Sequence, residues 1–153
     1  AYCQDNALTW LDGARADTGL TAYVAGLAAL RRQHPGLRPT RWLHGNGDIG
    51  WRGLDGLPMS VADWQDGYHL GLTARIEVGE GDAAPTERLL IAWHSGQGTA
   101  LLSLPPGPWR YLLDSTRAQV HPDPAEAPSV EGSLVIQRPG VHVLAQPLQG
   151  SAA

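Results

Sequence analysis

From Thr40 onward the chain keeps a period of two. Leu70, Leu72, Ala74, Ile76 and Val78 alternate with Gly71, Thr73, Arg75 and Glu77. On an extended backbone this puts the apolar set on one face, which predicts a half-buried strand. Leu89–His94 is apolar on both faces and reads as a central strand. Thr99–Leu104, Trp109–Asp114, Ser133–Gln137 and Val141–Gln146 continue the series, and Arg41–His44 and Ile49–Arg52 read as short strands ahead of it. Gly96-Gln97-Gly98 and Arg138-Pro139-Gly140 supply turn chemistry between what read as paired strands. The 19 Gly and 12 Pro suit many short elements joined by turns. Roughly eight such strands predict a mainly β fold, an antiparallel Greek-key sandwich.

One helix precedes the strands, over Leu20 to His34. Leu20, Val24, Leu27 and Leu30 form a single apolar stripe, with Thr18 as a cap near the start. Arg31, Arg32 and His34 put positive charge in the last turn, where it complements the helix dipole, and Pro35-Gly36 stops the helix. The remaining face is small (Ala22, Ala25, Gly26, Ala29) and carries no charge between Leu20 and Leu30. A solvent-facing helix ordinarily carries Glu or Arg there, so the pattern predicts packing on both sides. Ser60-Val61-Ala62-Asp63 has the spacing of a capping box and predicts a short helical turn anchored by Trp64. The three prolines of His121–Pro128 mark a surface loop.

Composition narrows the function classes. All eleven basic residues are Arg, and the net charge is −4. With no basic stripe to neutralise phosphates, nucleic acid is not an expected partner. No apolar run reaches 18 residues, so no membrane-spanning helix is expected. Cys3 is the only cysteine, which excludes an internal disulfide and suits a cytoplasmic location. The six histidines are scattered without metal-ligand spacing, so no metal and no cofactor are expected.

Nor do the residues offer a catalytic constellation. A retaining glycosidase needs two carboxyl groups about 5–5.5 Å apart across a cleft, and no motif here arranges such a pair. Ser95 lies between His94 and Gly96, but this is not the G-x-S-x-G elbow; His94 reads as a strand-end residue. Cys3 has no neighbouring histidine to activate it. The six tryptophans (10, 42, 51, 64, 93 and 109) leave two readings open. Aromatic faces stack on sugar rings, but in a chain without Phe they also serve as large core residues. Trp93, on one face with Leu89 and Ile91, favours the core, and Trp64 is expected to pack down.

The first residues, AYCQDNALTWLD, show neither an initiator Met nor a signal-peptide pattern and read as the middle of a loop, which predicts a piece of a larger protein. AYCQDNALTWLD, the helix ending LAALRRQHPGLR, then RWLHG, DIGWRGLDGLPMSVADW and LGL follow one another in an order that closely resembles the C-terminal part of bacterial glycogen debranching enzymes, isoamylase-type members of the α-amylase superfamily. The resemblance continues more loosely through ERLLIAWHS, LSLPPGPWRYLLDS and the last strand pair. Gly13 departs from it, standing where relatives often have Trp, and so does His94-Ser95, where they often have Asn-Ala.

The resemblance implies a layout. Residues 1–36 would be the last loop and helix of a catalytic (β/α)8 barrel, and residues 37–153 an antiparallel β-sandwich, domain C. It implies that Tyr2, Asp5, Asn6 and Trp10 border the active-site cleft and bind substrate: the aromatics would stack on glucose and the polar side chains would bond its hydroxyls. The nucleophilic Asp, general-acid Glu and stabilising Asp of the family follow earlier barrel strands, so no catalytic residue is expected here and the piece should be inactive alone. The parent would hydrolyse α-1,6 branch linkages in glycogen or limit dextrin with retention. The expected partners are the upstream barrel of the same polypeptide and, in the parent, glycogen or another α-glucan. A glucan-binding sandwich and a module that pairs subunits are the alternatives.

Overall fold

The computed structural model describes Cys3, residues 5–7, residues 9–10 and residues 12–148. A 3-10 turn at Gly13–Arg15 leads into helix α1, Thr18–Gln33. The residue that caps α1 is Asp17 rather than Thr18: its carboxylate accepts from the Leu20 amide at 3.0 Å. A one-turn 3-10 segment, Pro35–Leu37, follows. After it come β1 (Ile49–Gly53), the single-turn α2 (Val61–Gln65), β2 (Gly71–Ile76), β3 (Glu87–His94), β4 (Ala100–Ser103), β5 (Trp109–Asp114), β6 (Gln119–Val120), β7 (Ser129–Val130), β8 (Ser133–Ile136) and β9 (Gly140–Pro147).

The strands form two antiparallel sheets. The large one runs β1-β2-β3-β9-β5-β6, with β7 also on β5, and the small one is β4-β8. The last strand therefore lies between β3 and β5, a non-sequential order of the Greek-key kind. The two glycine-rich turns do not join paired strands, as the sequence suggests. Gly96–Gly98 carries the chain from β3 in the large sheet to β4 in the small one, and Arg138–Gly140 carries it back from β8 to β9. A tight turn can bend the chain between layers as readily as within one, and residue type alone does not separate the two cases.

Two cores follow from the alternation. Leu90, Ala92, Trp109 and Leu144 of the large sheet meet Leu102 and Ile136 of the small one. On the opposite face Ala74, Ile76, Leu89, Val143 and Ala145 pack beneath α1 and the segment after it. Strand β3 feeds both cores, which is why it is apolar on both faces.

Helix α1 docks through Tyr23, Gly26, Leu27 and Leu30, with Leu30 fully buried. Only Leu27 and Leu30 of the predicted stripe turn inward. Leu20 is 59% exposed and Val24 54% exposed, because the inward face is turned toward Tyr23 and Gly26. A Cβ at Gly26 would stand 3.2 Å from Val120 Cβ, so the small residue permits a close approach of helix and strand.

Arg41–His44 is not a strand. The Asp48 carboxylate folds this segment into a loop by accepting from the amides of His44 (3.2 Å) and Gly45 (2.9 Å) and from Arg41 (2.7 Å). Gly45 and Gly47 take positive φ within it. A local carboxylate thus replaces the ladder that the sequence suggests.

Candidate functional site

Three of the four candidate cleft residues, Asp5, Asn6 and Trp10, occupy one turn of the N-terminal loop. The Asn6 carbonyl accepts from the Thr9 amide (2.9 Å), the Trp10 amide (3.3 Å) and the Thr9 hydroxyl (2.9 Å). This closure brings Asp5 beside Trp10, whose indole N–H donates to Asp5 Oδ1 at 2.6 Å. Trp10 is exposed. Asp5, Asn6 and Trp10 are thus brought together; Tyr2 lies outside the described residues. Cys3 is an exposed free thiol.

A second exposed aromatic surface surrounds β1 and α2. Trp51 meets the edge of Trp64 (centroids 5.8 Å apart) and stacks on Trp93 (6.0 Å, planes 29° apart). Trp93 belongs to the fringe of the core beneath α1. Trp64 does not pack down as expected: it remains exposed, with Leu57, Val61 and Leu70 nearby in sequence and Tyr68 90% exposed. The reason is local. α2 is a single turn held by its own capping box, Ser60 Oγ accepting from the Asp63 amide and the Asp63 carboxylate from the Ser60 amide. That box lowers the Asp63 pKa and holds the turn without help from the core. Trp42, in the Asp48 loop, is 85% exposed. An exposed pair of touching tryptophans, Trp51 and Trp64, is the kind of apolar surface that marks contact with another molecule or another part of the same one.

The buried polar groups are structural clamps. His94 has Nδ1 3.2 Å from the Leu70 carbonyl and Nε2 2.9 Å from that of Gly98, so both ring nitrogens face acceptors. Ser95 Oγ donates to the same Leu70 carbonyl at 3.1 Å. Neither residue is arranged as a nucleophile–base pair, in agreement with the strand-end reading of His94. At the end of α1, His34 joins Glu87, its Nδ1 2.8 and 2.9 Å from the two carboxylate oxygens, while its Nε2 is 3.1 Å from the Pro122 carbonyl. Burial opposes charge on His34, but Glu87 and the Pro122 carbonyl outweigh it and raise the pKa. Among the described residues no group of three His, Cys, Asp or Glu side chains could hold a metal ion.

One cluster has no counterpart in the sequence reading. Tyr111, Asp114 and His142 share a face between the two sheets. The Tyr111 hydroxyl is 2.5 Å from His142 Nδ1, and Asp114 Oδ1 accepts from the Thr116 amide (3.0 Å) and hydroxyl (2.6 Å). Burial, reinforced by Asp114, raises the Tyr111 pKa, and burial lowers that of His142, so both are neutral near pH 7. Residues three apart on a regular strand point to opposite faces, and the sequence therefore separates Tyr111 from Asp114. A β-bulge unites them: Tyr111 pairs with Leu144, Leu113 with Val143 and Asp114 with His142, leaving Leu112 as the extra residue.

These features define an antiparallel two-sheet β-domain with one helix docked on its larger sheet, and pullulanases contain the same fold. A type I pullulanase from Bacillus subtilis str. 168, solved with maltose, superposes with a TM-score of 0.60 at 16% identity over 90% of this chain and 17% of that one. An Anoxybacillus sp. LM18-11 pullulanase gives 0.53 at 18% identity, over 82% of this chain and 15% of the other.

By sequence the chain is homologous to bacterial glycogen debranching enzymes over about three quarters of its length. It is 37% identical over 118 residues to the Serratia proteamaculans (strain 568) enzyme, covering 76% of this chain and 16% of that one. Against the Escherichia fergusonii enzyme it is 40% identical over 113 residues, 73% of this chain and 16% of the relative. The chain thus spans only about a sixth of the length of the relatives it matches. No protein-family model matches it. No helix among the described residues is long and apolar enough to cross a membrane.

Proposed function

We propose that this chain is the C-terminal part of a cytoplasmic glycogen debranching enzyme that hydrolyses α-1,6 branch linkages in glycogen or limit dextrin. Residues 1–36 would be the last loop and helix of its catalytic barrel, and residues 37–153 its domain C. The homology to debranching enzymes carries this proposal. The outward face of α1 agrees with it. Leu20, Val24, Ala25 and Ala28 are exposed and uncharged, as expected of a helix whose second side packs on the rest of a barrel. The role of the domain is then structural: it covers that flank and fixes the last helix through Tyr23, Gly26, Leu27 and Leu30. The turn that pairs Asp5 with Trp10 would lie on the rim of the cleft, with Tyr2 ahead of it.

The test compares two contexts. Leu20→Glu with Val24→Glu should leave the thermal stability of this chain unchanged and lower that of the parent enzyme. Equal effects in both would remove the packing role. The sequence upstream should hold the nucleophilic Asp, general-acid Glu and stabilising Asp in barrel order; their absence, or release of reducing ends from limit dextrin by this chain alone, would overturn the assignment.

The exposed aromatic surface favours a second reading, in which the domain itself holds glucan through Trp42 or Trp51. Titration with maltoheptaose, read by tryptophan fluorescence, separates the two. Saturable binding lost on Trp51→Ala or Trp42→Ala would replace the purely structural role.

A further inference from the structure

A cavity of about 290 Å³ opens between the sheets at the Tyr111–Asp114–His142 cluster, lined also by Arg117, Gln137 and Arg138. We propose that it is a binding site for a single neutral pyranose, either a free hexose or the end unit of an α-glucan.

Size, placement and chemistry support this. The volume lies just below the usual range for ligand pockets, about 300–1,000 Å³, which suits one sugar ring rather than a wound glucan. Tyr111, Asp114 and His142 face the small sheet, whereas α1 docks on the other face of the large one. A body joined through the outward side of α1 would therefore leave the cavity open. The lining offers acceptors and donors together: the Asp114 carboxylate, the Tyr111 hydroxyl, the Gln137 amide and two guanidinium groups. Sugar hydroxyls need both kinds of partner at once. Asp114 offsets one of the two guanidinium charges. Its Oδ2 holds Arg117 at 3.6 Å, which leaves Arg138 as the guanidinium in the lining without an acidic partner among the described residues.

The cluster is also costlier than core packing requires. His142 is buried with Nδ1 at Tyr111, and its Nε2 has no hydrogen-bond partner. Either neutral tautomer leaves that nitrogen unpaired, and such a group is expensive to retain. The bulge at Leu112 brings Asp114 to this face, and Gly140 fits closely beside it. A Cβ there would stand 2.6 Å from Thr116 Cγ2 and 3.7 Å from His142 Nε2.

The proposal depends on the chemistry of the cavity and not on the debranching assignment, so the two can fail separately. The experiment is NMR titration of this chain, following the His142 imidazole and Gln137 amide signals, with glucose, maltotriose and inorganic phosphate in separate arms. Saturable shifts with glucose and maltotriose are expected; shifts with maltotriose alone would assign the site to chain ends. Arg138→Ala, at an exposed position that the fold does not need, should weaken binding about tenfold, the loss of one charge-assisted hydrogen bond. Asp114→Asn should abolish it, and if that variant does not fold, Arg138→Ala and Gln137→Ala still decide. No shift with either sugar would overturn the proposal. So would shifts with phosphate alone, which would define an anion site. Sugar binding insensitive to Arg138→Ala and lost with Trp51→Ala would move the site to the aromatic face and overturn it as well.

Discussion

His34 Nδ1 sits 2.8 and 2.9 Å from the two carboxylate oxygens of Glu87, and this contact ties the end of α1 to the first residue of β3. The other ring nitrogen points at the Pro122 carbonyl. Both nitrogens therefore face acceptors, an arrangement that only the imidazolium satisfies fully. The helix is held to the sheet by a proton as well as by apolar contact.

That proton makes stability depend on pH. The folded pKa of His34 lies above its ordinary 6.5, so its contribution is complete below pH 6.5 and is lost as pH rises through the folded value. Glu87→Gln should cost about 1.5–3 kcal/mol near pH 5.5, the range for a hydrogen bond to a charged group, and less at pH 8.5. Urea unfolding followed by circular dichroism at the two pH values checks this. A cost independent of pH would mean that the ring is neutral throughout.

At the acid end Asp48 contributes in the opposite sense. The Arg41 guanidinium, opposed by partial desolvation and aided by the His44 and Gly45 amides, lowers its pKa from 3.8 to about 2. Its contribution is present above pH 3.8 and is lost as pH falls through about 2. Asp48→Asn should flatten the acid limb of the stability profile between those values. It should also speed hydrogen exchange at the His44 and Gly45 amides, measurable by NMR. Unchanged exchange there would show that the loop closes without the carboxylate.

The two ends of the predicted helix stripe should behave differently. Leu30→Ala removes a buried anchor and should cost about 2–5 kcal/mol. Leu20→Ala changes an exposed side chain and should stay within about 0.5 kcal/mol in this chain. Chemical denaturation of the two variants decides, and equal costs would mean that the helix docks in another rotation.

Gly36 tests how tightly the segment after α1 is held. A Cβ there would stand 2.8 Å from Leu89 Cδ1 and 3.4 Å from Ile76 Cγ2. Leu89 lies in the core and has little room to withdraw, so Gly36→Ala should cost about 1–3 kcal/mol as overpacking. Thermal unfolding provides the measurement, and a neutral result would mean that the core beneath α1 is looser than its burial suggests.

The periodicities carried much of the fold. A period of two marked β2, and the double-sided apolar run of Leu89–His94 marked β3 as central, because both faces of that strand are covered and its one polar residue, His94, is buried with acceptors at both ring nitrogens. Ser60 and Asp63 specified their capping box through local hydrogen bonds alone. Local chemistry was read less well where two local options competed, as in Arg41–His44, which a carboxylate at Asp48 draws into a loop.

The amino-acid sequence by itself determined which segments extend, which one coils and which relatives the chain has, since these follow from backbone preference, side-chain period and residue identity. Only the tertiary structure decided which face of α1 turns inward, because Leu20 and Leu30 are equally apolar and it is contacts with distant residues, such as Gly26 against Val120 and His34 against Glu87, that break the tie. It alone decided that the two glycine turns change sheets. It also brought Tyr111, Asp114 and His142 together, because a one-residue bulge inverts every facing beyond it while leaving no mark on the apolar pattern that precedes it.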